Sequence, residues 1–318
     1  MNQVAAIFDC VVLYRYSLIL ALAGAAGVCF FLACCSHVQV APRRAAAAAL
    51  TAVAMSLLLS RLVYWYSRPD TFASVSQALT AASTGAFALV GSFAGCACSA
   101  LLWGGKQEGR KLLDCMSVAG CWAIALGRLG CFFNTTNRGQ IMSRLTSLPW
   151  AYPVANLSGQ LEYRFATFLF QAAVAAALGV FLTVLFARRK QPGEVSVLFV
   201  LIYSASQVIL DSTRYDSLYL RSNGFVSMVQ ILSAVGLAFT LIFLCGRVLR
   251  KRGMQRWMVP LWFALVALFA AAGYMEYYVQ RHGREAAFSY SVMGLCLIGL
   301  TALGLLLWKL SQPSGKEE

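Results

Sequence analysis

The chain has few charged residues. They make up 12% of its 318 residues, and only 12 of them are Asp or Glu. A soluble domain is about 25% charged, because its surface must be hydrated. Here 60% of the residues are hydrophobic and the mean hydropathy is +0.69. These values exclude a soluble enzyme, a disordered chain and a secreted disulfide scaffold, and they predict a polytopic membrane protein.

Long apolar runs divide the chain. Each is long enough to cross about 30 Å of hydrocarbon as a helix, and each is continuous rather than alternating, which excludes a β-barrel. We therefore predict an all-α polytopic membrane protein with about nine transmembrane helices. The predicted spans lie near residues 16–35, 45–64, 81–103, 112–132, 165–186, 195–210, 225–244, 259–277 and 290–308.

Basic residues concentrate in alternate loops. Half of the 26 Lys and Arg residues follow the first, third, fifth and seventh runs. The positive-inside rule then places the N-terminus outside and the C-terminus on the cytoplasmic side of a cell membrane. The net charge of +14 is explained by membrane orientation, so we expect no nucleic-acid partner. The 11 cysteines lie mostly in apolar runs as small hydrophobic residues, and we expect no metal site.

Three arginines occupy costly positions. Arg61, Arg128 and Arg214 fall near the ends of the second, fourth and sixth runs, all on the predicted outer side. A guanidinium inside a span costs roughly 2.5–3.5 kcal/mol on insertion scales. Several at one depth indicate a shared anionic partner, for which a phosphate headgroup is suited. Arg15 opens the first run on the same side and is better explained as an interfacial anchor.

The sequence also allows acidic side chains as partners for two of these arginines. Arg214 can pair with Asp211 or Asp216, and Arg61 can reach outward to Asp70. Arg128 is harder to explain structurally, because Gly127 and Gly130 flank it and allow close helix approach.

Residues 127–134 read GRLGCFFN, which resembles the GRxGxFxN signature of the bacterial prolipoprotein diacylglyceryl transferase family. Five further segments resemble that family in order and spacing, over residues 10–245 in total. They are residues 14–18 (YRYSL), 60–64 (SRLVY), 91–95 (GSFAG), 207–216 (QVILDSTRYD) and 227–233 (SMVQILS). The resemblance implies a seven-helix transferase-like domain at 1–245, followed at 246–318 by two additional helices of unknown role.

The family reaction moves a diacylglyceryl group from phosphatidylglycerol to the cysteine thiol of a lipobox preprotein. The resemblance therefore implies a transferase of lipoprotein biosynthesis, with phosphatidylglycerol or a similar anionic phospholipid and a preprotein as partners, and without a cofactor. Arg128 and Arg214 are the implied catalytic residues. The implied substrate-binding residues are Tyr16, Arg61, Asn134, Gly139, Asp211 and Gln230.

Two alternatives remain. Ala94 stands where family members often carry His or Tyr, so the chain could be a non-catalytic relative that binds anionic phospholipid or a lipoprotein partner. A transporter would need a polar path toward the cytoplasmic side, for which the sequence offers only Asp114.

Overall fold

A computed structural model describes residues 2–68, 71–72, 74–80, 87–105, 108–134, 136–142, 150–155, 158–188, 191–220, 223–282 and 286–312. Within these ranges, eight helices are long and apolar enough to cross a membrane, and Leu89–Gly104 is a shorter apolar helix. This confirms the all-α polytopic class. The first six residues of the predicted third span, 81–86, lie outside the described ranges, as does Asp70.

The helices are α1 (Asn2–His37), α2 (Pro42–Ser67), α3 (Val75–Thr80), α4 (Leu89–Gly104), α5 (Glu108–Leu129), α6 (Thr167–Arg188), α7 (Glu194–Ser212), α8 (Met228–Arg252), α9 (Met258–His282) and α10 (Ala286–Ser311). The strands are β1 (Ala151–Ala155), β2 (Leu161–Phe165), β3 (Tyr219–Leu220) and β4 (Asn223–Ser227). A 3-10 turn, Gly130–Phe133, continues α5.

Local sequence sets several helix ends. Pro42 lies in the first turn of α2, where its missing amide hydrogen is not needed. Ser227 begins α8 with a capping box, in which its hydroxyl accepts the Gln230 amide while the Gln230 side chain accepts the Ser227 amide. Gly253 follows α8 at φ +67°, a conformation that favours glycine.

The chain forms two compact units. Unit 1 comprises Met1–Phe199 and Thr213–Asn223, and unit 2 comprises Val200–Ser212 and Gly224–Glu318. These units follow packing, whereas the predicted boundary at residue 245 follows the family resemblance and stays a prediction.

Glycines bring helices of unit 1 together. Gly91 and Gly95 are four residues apart on one face of α4, and a Cβ at either would lie 2.3–2.4 Å from the backbone of Ser60 or Ser56 on α2. The contact is reinforced by the Ser60 and Ser92 hydroxyls, 2.9 Å apart. This small-xxx-small packing lets membrane helices approach closely. At the end of α5, a Cβ on Gly130 would lie 3.2 Å from Ile19 of α1, so the expected close approach beside Arg128 is confirmed there.

The sequence did not predict the strands. β1 and β2 form an antiparallel hairpin in register from Ala151 opposite Phe165 to Ala155 opposite Leu161. This hairpin occupies much of the long connection between α5 and α6. Connections of this length are uncommon unless they are functional.

Candidate functional site

Residues 138–142 connect the hairpin to the segment that follows α7. On one side, the Gly139 amide donates to the Phe165 carbonyl at 2.7 Å. On the other, the Gln140 amide donates to the Thr213 carbonyl at 3.0 Å, and Gly139 forms a β-bridge with Arg214. The segment behaves as a short central strand, and it brings Arg214 to the end of unit 1 at which α5 ends.

Gly139 is required by this crossing. A Cβ at Gly139 would lie 2.7 Å from the Cβ of Phe165 and 2.8 Å from the Thr167 hydroxyl oxygen. Any side chain would push the strand-like segment away from the hairpin. Gly139 thus positions Arg214 through the backbone, and its predicted role as a substrate-binding residue stays a prediction.

Arg214 is oriented by an ion pair. Its Nε lies 3.0 Å from Oδ1 of Asp216, with 12% of the Arg214 side chain exposed. Oδ2 of Asp216 accepts the backbone amide of Asn137 at 2.8 Å. Of the two acidic partners that the sequence allowed for Arg214, the structure shows the Asp216 pairing. Arg164 lies beside this group, with its guanidinium 4.2 Å from the centre of the Tyr215 ring.

Arg128 lies in the last turn of α5 and is half-buried. It is close enough to Tyr16 of α1 to act on that side chain electrostatically, as is Asp216. Tyr16 also hydrogen-bonds Thr136. Tyr16, Arg128 and Arg214 therefore belong to one cluster.

The arginines of this cluster differ in whether an acidic side chain pairs with them. Arg214 has Asp216 and Arg164 has Glu162. Among the residues that the structure describes, Arg128 forms neither an ion pair nor a hydrogen bond. An unpaired guanidinium at the end of a membrane span is costly unless an anion approaches it. The cluster thus contains one guanidinium whose charge no described residue neutralises.

Arg138 is the main residue that the sequence analysis missed. Only 1% of it is exposed, and its Nη2 donates to the carbonyls of Cys131 and Asn134, each at 2.7 Å. The guanidinium lies between the rings of Tyr152 and Phe168, 4.0 and 4.2 Å from their centres. Burial lowers the pKa of Arg138, and the Tyr152 hydroxyl acts in the opposite direction. Arginine remains protonated in proteins, so the group stays charged at neutral pH.

This arrangement fixes the end of α5. Carbonyls there carry the negative end of the helix dipole, which a cation stabilises. Tyr152 adds a hydrogen bond from its hydroxyl to the Phe132 carbonyl at 3.1 Å. Arg138 and Tyr152 together hold the turn after Arg128 against the hairpin.

Asn134 and Cys131 belong to the same turn. The Asn134 carbonyl accepts from Arg138, and the predicted role of Asn134 as a substrate-binding residue stays a prediction. The buried Cys131 thiol accepts from Nδ2 of Asn137 at 3.2 Å. Cys131 thus serves as a packed acceptor.

Arg61 is enclosed by the segment between α2 and α4. Only 4% of it is exposed, its Nε donates to the Ala78 carbonyl at 2.5 Å, and its guanidinium lies about 5 Å from the rings of Phe72 and Phe87. These contacts stabilise a buried cation. Its predicted contact with substrate stays a prediction.

Asp211 and Gln230 lie in unit 2 and have structural contacts there. The Asp211 carboxylate accepts the Ser227 hydroxyl. The Gln230 side chain, besides capping α8, donates to the Val208 carbonyl at 3.2 Å, which confirms an interhelical contact. Their predicted substrate-binding roles remain predictions.

Asp114 has a structural explanation. Its carboxylate accepts the backbone amides of Gly193 and Ser196, at 2.7 and 2.9 Å, where α7 begins. This is a helix-capping arrangement. Asp114 was the residue that supported a polar path toward the cytoplasmic side, so this capping role removes the support for the transporter alternative.

The part of the chain that the structure describes contains no cluster of three or more metal-ligating His, Cys, Asp or Glu side chains. Its fold is that of a polytopic helical membrane protein, and an arginine-rich cluster lies at one end of unit 1.

The family model for prolipoprotein diacylglyceryl transferase matches residues 3–246. The chain therefore belongs to the prolipoprotein diacylglyceryl transferase family. The relatives named below are bacterial, and the chain is a multi-pass cell-membrane protein.

Several relatives carry the name phosphatidylglycerol–prolipoprotein diacylglyceryl transferase. One from Shewanella sp. (strain ANA-3) is 31% identical over 157 residues, which are 49% of this chain and 55% of the relative. One from Thermotoga maritima is 33% identical over 117 residues, 35% of this chain and 38% of the relative. One from Clostridium botulinum (strain Hall) is 25% identical over 129 residues, 40% and 50% of the two chains. The chain thus spans about half the length of the curated relatives it matches, or less.

Proposed function

We propose that this protein transfers a diacylglyceryl group from phosphatidylglycerol to the thiol of a lipobox cysteine in a secreted preprotein. The observation that carries the proposal is Arg128, a half-buried guanidinium without an ionic partner among the described residues, in a cluster with Tyr16 and Arg214. The family match and the names of the relatives support the same reaction.

The reaction needs a group that holds phosphate. The thiolate sulfur attacks the glycerol carbon that bears the phosphate ester, so that an S–C bond forms, the C–O bond to phosphate breaks and glycerol phosphate leaves. Negative charge grows on the departing phosphate. A planar guanidinium stabilises it with two hydrogen bonds. In the proposal Arg128 holds the leaving phosphate, and Arg214, kept in place by Asp216, holds a second oxygen.

The substrate thiol must also lose its proton, because the thiolate is the nucleophile. An unperturbed thiol has a pKa near 8.5, and nearby guanidinium groups favour the charged form. The positive cluster therefore promotes thiolate formation without a dedicated base, and in the net reaction the thiol proton ends on the departing glycerol phosphate. In the proposal Tyr16 donates a hydrogen bond to the headgroup.

Complementation tests the proposal. A bacterial strain depleted of its own enzyme is supplied with this protein, and lipid attachment to a lipobox reporter is followed by gel mobility and labelling. The wild-type protein restores modification, whereas Arg128→Ala does not. Arg250→Ala, at an exposed position late in α8, is the matched control and behaves as wild type. Modification by Arg128→Ala at the wild-type level would contradict the proposal.

One observation favours a second candidate, a non-catalytic relative that binds anionic phospholipid. Ala94 offers only an exposed methyl group where family members often carry His or Tyr, so this position supplies no proton carrier. Under this alternative, purified protein binds phosphatidylglycerol through Arg128 and transfers nothing to a lipobox peptide. Transfer by the purified wild-type protein excludes it.

A further inference from the structure

A cleft of about 330 Å³ lies within unit 2, among α7, α8, α9 and α10. Its walls are almost entirely aliphatic or aromatic, including Ile231, Leu237 and Phe269. Its polar lining residues are Gln230, Glu276 and Gln280. Gln230 lies near the start of α8, and Glu276 and Gln280 lie near the end of α9. Consecutive membrane spans run in opposite directions, so these positions lie toward the same side of the membrane. The cleft is thus apolar along its length and polar at one end.

The length of the cleft matches one leaflet of a bilayer. On α9 its lining runs from Phe269 to Gln280, and a rise of 1.5 Å per residue gives about 16 Å. Half of a hydrocarbon core of about 30 Å is about 15 Å. The helices that form it are membrane-spanning candidates. The part of the slot from Phe269 to Glu276 is about 10 Å long by the same rise, and its apolar walls fit the upper part of a lipid acyl chain.

Glu276 marks the polar end. Only 7% of it is exposed, and its carboxylate accepts the Ser212 hydroxyl at 2.7 Å and Nε2 of Gln280 at 3.0 Å. Both donors are neutral. Among the residues that the structure describes, Glu276 has no cationic partner. A buried acidic group within a membrane span is expensive unless a cation reaches it, and it marks a functional site by default.

We propose that this cleft binds one acyl chain of a phospholipid whose headgroup carries an ammonium, as phosphatidylethanolamine does, with the ammonium at Glu276. An ammonium supplies the missing positive charge and up to three hydrogen-bond donors. A purely anionic headgroup would instead place like charge beside the carboxylate. The cleft uses α9 and α10, which lie beyond the residues that the family model matches. The proposal therefore gives these two helices a function independent of the transferase reaction.

Gly273 provides a variant that blocks the cleft. It lines the cleft on α9, and a Cβ built there would meet no atom within 4 Å. Gly273→Phe fills the slot without a backbone clash. Gly246→Phe is the matched control, because Gly246 of α8 also has open space around a Cβ but does not line the cleft. Glu276→Gln keeps the size of the side chain, removes its charge and replaces one of its two acceptor oxygens by a donor amide.

The test is native mass spectrometry of the purified full-length protein, titrated in detergent with phosphatidylethanolamine or with phosphatidylglycerol. The wild type and Gly246→Phe retain one more phosphatidylethanolamine molecule than Gly273→Phe. Glu276→Gln still binds a lipid but loses about tenfold in preference for phosphatidylethanolamine, because a hydrogen bond to a charged group is lost.

Equal lipid occupancy in Gly273→Phe and Gly246→Phe would overturn the cleft as a lipid site. Unchanged headgroup preference in Glu276→Gln, or a wild-type preference for phosphatidylglycerol at the site that Gly273→Phe blocks, would overturn the role of Glu276. Failure of lipobox modification in complementation would leave these outcomes unaffected, so the two proposals fail separately.

Discussion

Arg138→Met should destabilise the protein although it changes no predicted catalytic residue. Methionine keeps most of the side-chain length but removes the charge and all donors. The Asn134 carbonyl then loses its bond from Nη2, while the Cys131 carbonyl keeps the Asn134 amide as a second donor. A buried acceptor left without its partner costs about 1–3 kcal/mol. The contacts with two aromatic rings add about 2 kcal/mol.

Part of this loss is offset, because a buried guanidinium is expensive to desolvate. We expect a net loss of about 3 kcal/mol in the free energy of unfolding. Arg138→Lys, which keeps the charge but not the planar fork, should fall between wild type and Arg138→Met. The control is Arg250→Met, at an exposed position on α8.

Reversible unfolding in mixed detergent and denaturing surfactant measures these differences. If Arg138→Met unfolds with the wild-type free energy, the guanidinium does not hold the turn after α5, and the structural explanation of this buried cation is wrong.

Three further variants test separate parts of the account. Asp216→Asn removes the ion pair that orients Arg214. The KM for phosphatidylglycerol should therefore rise roughly tenfold, because a charge-assisted hydrogen bond contributes about that factor. Unchanged transfer kinetics would show that this pair is dispensable. Gly95→Leu places a side chain against the α2 backbone and should lower the free energy of unfolding by about 1–3 kcal/mol or more. The control Gly120→Leu has open space around its Cβ and should not lower it. Equal stability of the two variants would refute the close packing of α2 and α4. Ala94→His should raise the transfer rate by about tenfold or more if a proton carrier is the missing group, and a rate equal to wild type would place proton removal elsewhere.

The sequence predicted the helices well, because membrane spans are set by continuous apolar length. The spans near 165–186 and 290–308 correspond to α6 and α10. The hairpin was missed for a physical reason: its strands have five residues each and follow no clear apolar alternation. Their pairing depends on turn geometry and on contacts with residues 138–142.

The candidate site was predicted in part. Arg128 and Arg214 could be chosen because arginines at the ends of apolar runs are costly without an anionic partner, whereas Tyr16 followed from the family resemblance. Arg138 could not, because an arginine in a polar connection is typical of a solvated residue, and its burial depends on Tyr152 folding back from the hairpin. The sequence offers one weak indication of this burial, in that Asn137-Arg138-Gly139 precedes the aromatic residues Trp150 and Tyr152 in the same connection.

The central claim is that Arg128 and Arg214 hold the phosphate of one phospholipid during transfer to a thiol. The most direct measurement is the transfer of labelled diacylglyceryl from phosphatidylglycerol to a synthetic lipobox peptide by purified protein. The account predicts a thioether-linked product with wild type and with Arg250→Ala, and loss of product with Arg128→Ala. No product from folded wild-type protein, or full product from Arg128→Ala, would contradict it.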